Sequence, residues 1–393
     1  MDEDVRESAI DHIRTQVGRG SRTFVEVVDD TVEYLGDEAE PGELRPVAWS
    51  IASDEFAAAL AAQATWPERT DNDRLTEAFR ALDAAGIVAR QDFACCQNCG
   101  LAEIGGTVPD PAAARGYVFY HQQDTDSAVA GEGVHLAYGL FGAPPTTEIG
   151  TEVTTALTAA GLPVNWDGTT GQRIHVPLDW AIRRHGRLAA FAAAPEPLPD
   201  VDMEVAEGGQ YFAAEGTTSA ELLALLELPW LPAEVRLRIE PLSLDVDRTP
   251  IFVHREFDRL VTDDGRVAGR FDGLRLLRRE PVAEPVDEPD LLETRYDDGT
   301  YHHDRPMRLA EALDVLRGMP LGNTWFCAQA RSRAIVQLNW PGGRLWVESP
   351  NAAEQTTTGA HASRADAERM LAVLATEGRA AVDELPGVGT QPW

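Results

Sequence analysis

Two proline-rich acidic stretches limit what this chain can fold into. Residues 192–202 read AAAPEPLPDVD and residues 280–290 read EPVAEPVDEPD. Closely spaced prolines remove backbone donors and restrict φ, so neither stretch continues a helix or sits in the middle of a sheet. Both read as linkers. They divide the chain into residues 1–191, 203–280 and 291–393. At 393 residues more than one core is expected.

In the first unit, apolar spacing predicts a helix over Glu3–Val17, ended by Gly18 and Gly20. Thr23–Val28 is expected to be a strand, residues 36–46 a loop, and Ser53–Ala64 a helix capped by Ser53. An internal echo follows. A helix over Asp73–Ala85 ends in ALDAAG and passes into IVARQDF; a second over Ile149–Ala160 ends in ALTAAG and passes into LPVNWDG. Strands Gly116–His121 and Val134–Phe141 lie between them, and Arg173–Val176 and Leu178–Arg183 close the unit. Strand, helix, strand, strand, helix, strand is the order of a split βαβ, ferredoxin-like sandwich, with two helices on one face of an antiparallel sheet. The expected fold class is α+β: this sandwich followed by two smaller α+β units.

In the middle unit, a helix is expected over Ser219–Leu228 and strands at Val235–Ile239, Ile251–Phe257 and Leu274–Leu277. His254, Arg255 and Glu256 read as one solvent face. The last unit is expected to hold helices at Arg308–Arg317 and Arg364–Glu377 and strands at Thr324–Ala330 and Arg333–Trp340. Pro341-Gly-Gly turns the chain into a further strand at Arg344–Glu348. Trp325, Trp340, Trp346 and Trp393 read as core.

Chemistry is concentrated in Gln91–Asp126, which holds Cys95, Cys96, Cys99, His121, Asp124 and Asp126. Cys96-Gln-Asn-Cys99-Gly100 has the shape of a metal-binding knuckle, whose turn lets two thiolates face one ion. Cys96, Cys99 and His121 are the candidate metal ligands, with zinc as the ion. Cys95 is the alternative ligand, and the fourth position falls to water or Asp124. An extended backbone would point Cys95 and Cys96 in opposite directions, so a bend is needed for both to bind. Two other readings stay open: a redox pair with Cys95 as the resolving thiol, or inert buried thiols. His121 and Asp124 are a candidate acid–base pair at a strand end. Their alternative is structural, with Asp124, Thr125 and Asp126 capping a helix from near Ser127 and His121 bonded to backbone.

The runs TDNDRLTEAFRALDAAGIVARQDFACCQNCG, GYVFYHQQDTD and GLPVNWDG resemble an uncharacterised family of bacterial proteins grouped as a domain of unknown function. The resemblance covers about Val5–Arg184. It implies that this stretch folds as one unit, and it implies no activity.

The charge balance narrows the partners. All 34 basic residues are arginine, against 65 Asp and Glu, for a net charge of −31. Phosphates would be repelled, which argues against nucleic acid and anionic membranes and leaves two readings, a solvated acidic surface or a basic protein partner. Without lysine there is no Schiff-base chemistry on a lysine and no Walker-type phosphate loop. The opening MDEDVRES has no apolar core of a signal peptide. The apolar runs Leu188–Ala194 and Leu222–Leu231 are too short or too broken by proline to span a bilayer. The cytoplasm, where thiols stay reduced, is the expected location. Two functions remain. One is a non-enzymatic acidic interaction protein, whose last unit resembles small bacterial toxin-immunity domains and would bind a basic partner. The other is a metal-dependent or thiol enzyme centred on Cys96, Cys99, His121 and Asp124.

Overall fold

The computed structural model describes residues 2–108, 114–144, 146–193, 202–208, 217–242, 247–298, 302–321 and 324–392. Most of the first expected linker, residues 194–201, and Trp393 lie outside that set. The fold mixes helices and sheets, as an α+β chain should.

The chain opens with four helices: α1 (Glu3–Arg19), α2 (Phe24–Tyr34), α3 (Pro41–Gln63) and α4 (Asp71–Ala84). The strand expected at Thr23–Val28 is instead the start of α2. The Thr23 hydroxyl accepts from the Glu26 amide, and the Glu26 carboxylate accepts from the Thr23 amide at 2.7 Å. This reciprocal cap outweighs the strand preference of the valines, because Phe24, Val27, Val28 and Thr31 then bury one helical face. The expected loop at 36–46 gives way to α3 at Pro41, which sits in the first turn where its missing amide costs nothing. Ser53 is not a cap. It lies buried inside α3 and donates to the Ala192 carbonyl. Helices α1 to α3 share one apolar cluster, in which Phe24 meets Trp49 edge-on at 4.7 Å.

Next come β1 (Ile87–Arg90), α5 (Gln97–Glu103), β2 (Gly116–Phe119), α6 (Gln122–Val129), β3 (Val134–Gly139), α7 (Thr147–Ala159), β4 (Ile174–Val176) and the short α8 (Gly186–Ala189). The strands form one sheet in sequential order, with β1 and β2 parallel and the remaining pairs antiparallel. A split βαβ sandwich interleaves its strands, so that expected topology is not the one observed. The two echo helices, α4 and α7, do pack on one face of the sheet, through Leu75, Phe79, Val153 and Leu157. Both stop at a glycine with φ near 85°, Gly86 at 83° and Gly161 at 86°. Val88, Phe119 and Ala137 point to the opposite face, beneath Ile104 just after α5. LPVNWDG contributes a single bridge, Asn165 to His175, and Leu178–Arg183 is neither strand nor helix.

A second sheet contains β5 (Asp202–Glu207), β6 (Thr217–Ser219), β7 (Arg236–Pro241), β8 (Ile251–Glu256), β9 (Arg259–Thr262) and β10 (Val267–Gly269), in the order β10-β9-β8-β7-β5-β6. Helices α9 (Ala220–Leu226) and α10 (Gly273–Leu277) cover it. The strand expected at Leu274–Leu277 is therefore α10. The third sheet runs β12 (His302–Arg308), β11 (Leu291–Asp297), β13 (Trp325–Gln329), β14 (Ile335–Asn339), β15 (Trp346–Asn351), β16 (Thr356–His361), β17 (Gly389–Pro392), all antiparallel. Helices α11 (Leu309–Gly318) and α12 (Arg364–Glu377) share its core. Trp340 is buried there, whereas Trp325 and Trp346 are half-buried. Among the described residues no helix is long and apolar enough to cross a membrane.

Arg255 is not on a solvent face. On β8 the side chains alternate, and Arg255 points inward with Ile251 and Val253 while Glu256 stays exposed. Its guanidinium is 1% exposed and forks onto Glu293 of β11 at 2.5 and 2.7 Å, tying the second sheet to the third. Removing one partner strands a buried charge. Arg255→Ala is therefore expected to cost about 3–5 kcal/mol, and Arg255→Lys should restore little because an ammonium has no fork. Denaturant midpoints of the full chain check this, and a change within about 0.5 kcal/mol would contradict it.

Candidate functional site

The thiols sit on a sharp turn that follows β1. Asp92 and Ala94 both adopt left-handed backbone, with φ of 48° and 62°. Aspartate tolerates that region, whereas alanine is strained there. The bend at Ala94 supplies what an extended chain could not. Cys96 then precedes the first turn of α5, and Cys99 lies within that turn. The sulfurs of Cys95, Cys96 and Cys99 lie within 4.8 Å of one another. The turn is fastened to the sheet by two backbone bonds: the Phe93 amide donates to the Tyr120 carbonyl at 2.8 Å, and the Gln122 amide to the Ala94 carbonyl at 3.1 Å. Gly100 presses α5 against Phe119, leaving 2.3 Å where a Cβ would meet the ring.

These are not buried thiols. Cys95 is exposed, and Cys96 and Cys99 are partly so. The Cys99 amide, the neighbouring thiols and the Asn98 amide lower the Cys96 pKa by stabilising its thiolate. Cys99 is pushed up to about 12, first by its hydrogen bond with Cys95 and then by Cys96. The thiolate form is thus favoured at Cys96 over Cys99.

His121 does not join the thiols. It is the buried residue that caps α6, and its Nδ1 accepts from the Asp124 amide at 3.3 Å. The Asp124 carboxylate accepts from the His121 amide at 3.2 Å and lies 3.1 Å from the His121 Nε2. Arg173 completes the knot, donating to both Asp124 oxygens at 3.0 Å and to the His135 carbonyl at 3.3 Å. His121 and Asp124 meet as expected, but the helix starts at Gln122 with His121 as its cap, earlier than Ser127. Burial lowers the His121 pKa, and Arg173 adds to that against Asp124. His135, stacked on His175 with ring centres 4.5 Å apart, is lowered likewise, by burial, His175 and Arg173, against Asp124 and Glu132. Arg173 and these two histidines were missed in the sequence. The faint signal was alternation, Arg173 with His175 two positions on.

A second feature was also missed. A cleft of about 400 Å³ opens between the first sheet and α11, and Asp92, Tyr120, His185, Glu311 and Asp314 line it. His185 and Asp314 lie 2.6 Å apart. The Thr125 hydroxyl donates to Asp92 at 2.5 Å, and burial raises the carboxyl pKa of Asp92 and of Glu311. Glu311 and Asp314 are three apart on one helix face, a spacing visible in EALD but silent about what it faces.

These features define the class: an α+β protein whose N-terminal region presents an exposed three-thiol turn. Residues 2–184 match the family described as a domain of unknown function, DUF6891. No curated protein and no solved structure matches the chain.

Because His121 is held below the ordinary histidine pKa, the native chain binds fewer protons than the unfolded chain as pH falls through about 6.5. That contribution to stability is present above this value and is lost below it. His121→Asn keeps a capping side chain that does not titrate. Between about pH 7.5 and 5.5 it is expected to lose less stability than the parent chain. Equal losses in paired urea titrations would show that His121 does not couple folding to protons.

Proposed function

We propose that the N-terminal region is a thiolate metal-binding module in which Cys95, Cys96 and Cys99 hold one thiophilic divalent ion, zinc in the first instance. The observation that carries this is the gathering of three accessible sulfurs within 4.8 Å. A tetrahedral zinc with bonds of about 2.3 Å spaces its sulfurs about 3.8 Å apart. Small side-chain rotations close that difference. His121 is left out of the ligand set, because its ring and backbone are engaged with Asp124. The fourth position then falls to water, a small molecule or a partner's side chain, so catalysis stays open as a use of the site. Reduced thiols suit a cytoplasmic location.

Metal analysis of the full chain, purified under reducing conditions, tests the reading. About one zinc per chain is expected, falling by at least about tenfold in Cys96→Ser and Cys99→Ser. His121→Asn should keep its zinc. A metal-free wild type whose thiols alkylate equally fast with and without added zinc would overturn the proposal.

A second reading, an acidic interaction protein that binds a basic partner, is supported by the net charge of −31. It is compatible with the first, since a partner can supply the fourth ligand. Capture from the native host should then yield basic proteins released by salt, and only acidic partners would count against it. The three sheets have separate apolar clusters, which supports dividing the chain into 1–191, 203–280 and 291–393, with Leu222 and Leu226 of α9 packing across the first boundary onto the α1–α3 cluster.

A further inference from the structure

We propose that the cleft between the first sheet and α11 binds a small organic cation, an amine or guanidinium compound, with Glu311 as its counter-charge. Glu311 is 5% exposed, and what remains exposed opens into this cleft. Among the described residues its carboxylate makes no direct hydrogen bond. Its nearest cation, Arg305, stands 3.6 Å away, beyond hydrogen-bond reach, and spends a guanidinium nitrogen on the Tyr296 hydroxyl at 3.1 Å. A buried carboxylate left this way bears a desolvation cost that a bound cation would remove. The carboxylate lies against Gly186, 2.5 Å from where a Cβ would stand, so a side chain there would crowd it.

The rest of the wall favours the same sign of ligand. Five arginines line the cleft, and each has a carboxylate partner: Arg19 with Asp126 at 2.7 Å, Arg183 with Asp73 at 2.8 Å, Arg317 with Glu368 at 2.9 Å, Arg364 between Glu77 at 3.4 Å and Glu368 at 3.5 Å, and Arg305 beside Glu311 itself. Asp92 adds a second carboxyl, whose one hydrogen bond among the described residues is from Thr125. His185 is oriented by Asp314 and faces the same space. Tyr120 supplies an aromatic wall suited to a cationic guest. An anion would meet Glu311 and Asp92, and among the described residues the two cleft guanidinia without a hydrogen-bonded carboxylate, Arg305 and Arg364, each already stand within 4 Å of one. The cleft's 400 Å³ falls within the size range of small-molecule sites, and the acidic surface concentrates cations near it. This site is separate from the thiol turn and does not depend on metal.

Isothermal titration of the full chain with agmatine, which carries an amine and a guanidinium, tests the proposal, with succinate as the anionic control. Saturable binding at one site is expected for agmatine and none for succinate. Glu311→Gln should weaken it about tenfold. Should Glu311→Gln fail to fold by its thermal melt, Asp92→Asn serves instead and is expected to weaken binding in the same direction. Heats of dilution alone, succinate binding as well as agmatine, or unchanged affinity in a folded variant would each overturn the proposal.

Discussion

A buried guanidinium with no carboxylate beside it among the described residues holds the N-terminal region together. Arg184 is 2% exposed. Its nitrogens donate to the carbonyls of Val17, Arg22 and Leu188, and its plane lies 4.4 Å from the Phe56 ring. The Gln63 side chain receives its amide and bonds its carbonyl. Burial lowers its pKa to about 10, so it stays charged at neutral pH. Val17 lies in the last turn of α1, where backbone carbonyls carry partial negative charge. The peptide groups themselves neutralise the cation. One side chain thereby fixes α1, α3 and the turn at α8 in relation to one another.

Other buried or half-buried arginines join layers through carboxylates or carbonyls. Arg255 bridges the second and third sheets through Glu293, and Arg270 reaches Glu288 in the second proline-rich stretch at 2.6 and 3.0 Å. Arg80 of α4 donates to the Met319 carbonyl after α11 at 2.5 Å and lies over Trp340. That second stretch is extended, yet fastened by Arg259 and Arg270 rather than free. A chain that carries only arginine as its long cation suits this role, because a planar fork meets two acceptors at once and retains its charge when buried.

The thiol turn and the cleft share a short piece of backbone. Asp92 lines the cleft, and three residues later the chain reaches Cys95. The left-handed residues at 92 and 94 make both placements possible: one turns a carboxyl inward, the other turns the sulfurs outward. A strained turn of this kind persists because Phe93, Ala94 and Gly100 are each fastened to β2 or to the start of α6. The cation cleft and the sulfur site are thus two faces of one structural solution, at the end of the parallel pair β1–β2.

Local pattern determined the elements whose apolar spacing was unambiguous. Helix α12 runs over Arg364–Glu377 as its stripe of Ala367, Met370, Leu371 and Leu374 requires, and the two Leu-x-Ala-Ala-Gly runs end α4 and α7. The crowding of three cysteines into five positions was equally plain. Tertiary structure decided the rest. Phe24 to Val28 carries strand-forming residues, and only the partners in α1 and α3 make its helical face worth burying. Strand order, the inward turn of Arg255 and the separation of His121 from the sulfurs are long-range outcomes. Alternation and capping signals state which side chains share a face, but the face acquires an identity only when distant segments pack against it. The cleft around Glu311 is the extreme case, since its walls come from residues about 220 positions apart along the chain, and no local pattern encodes such a meeting.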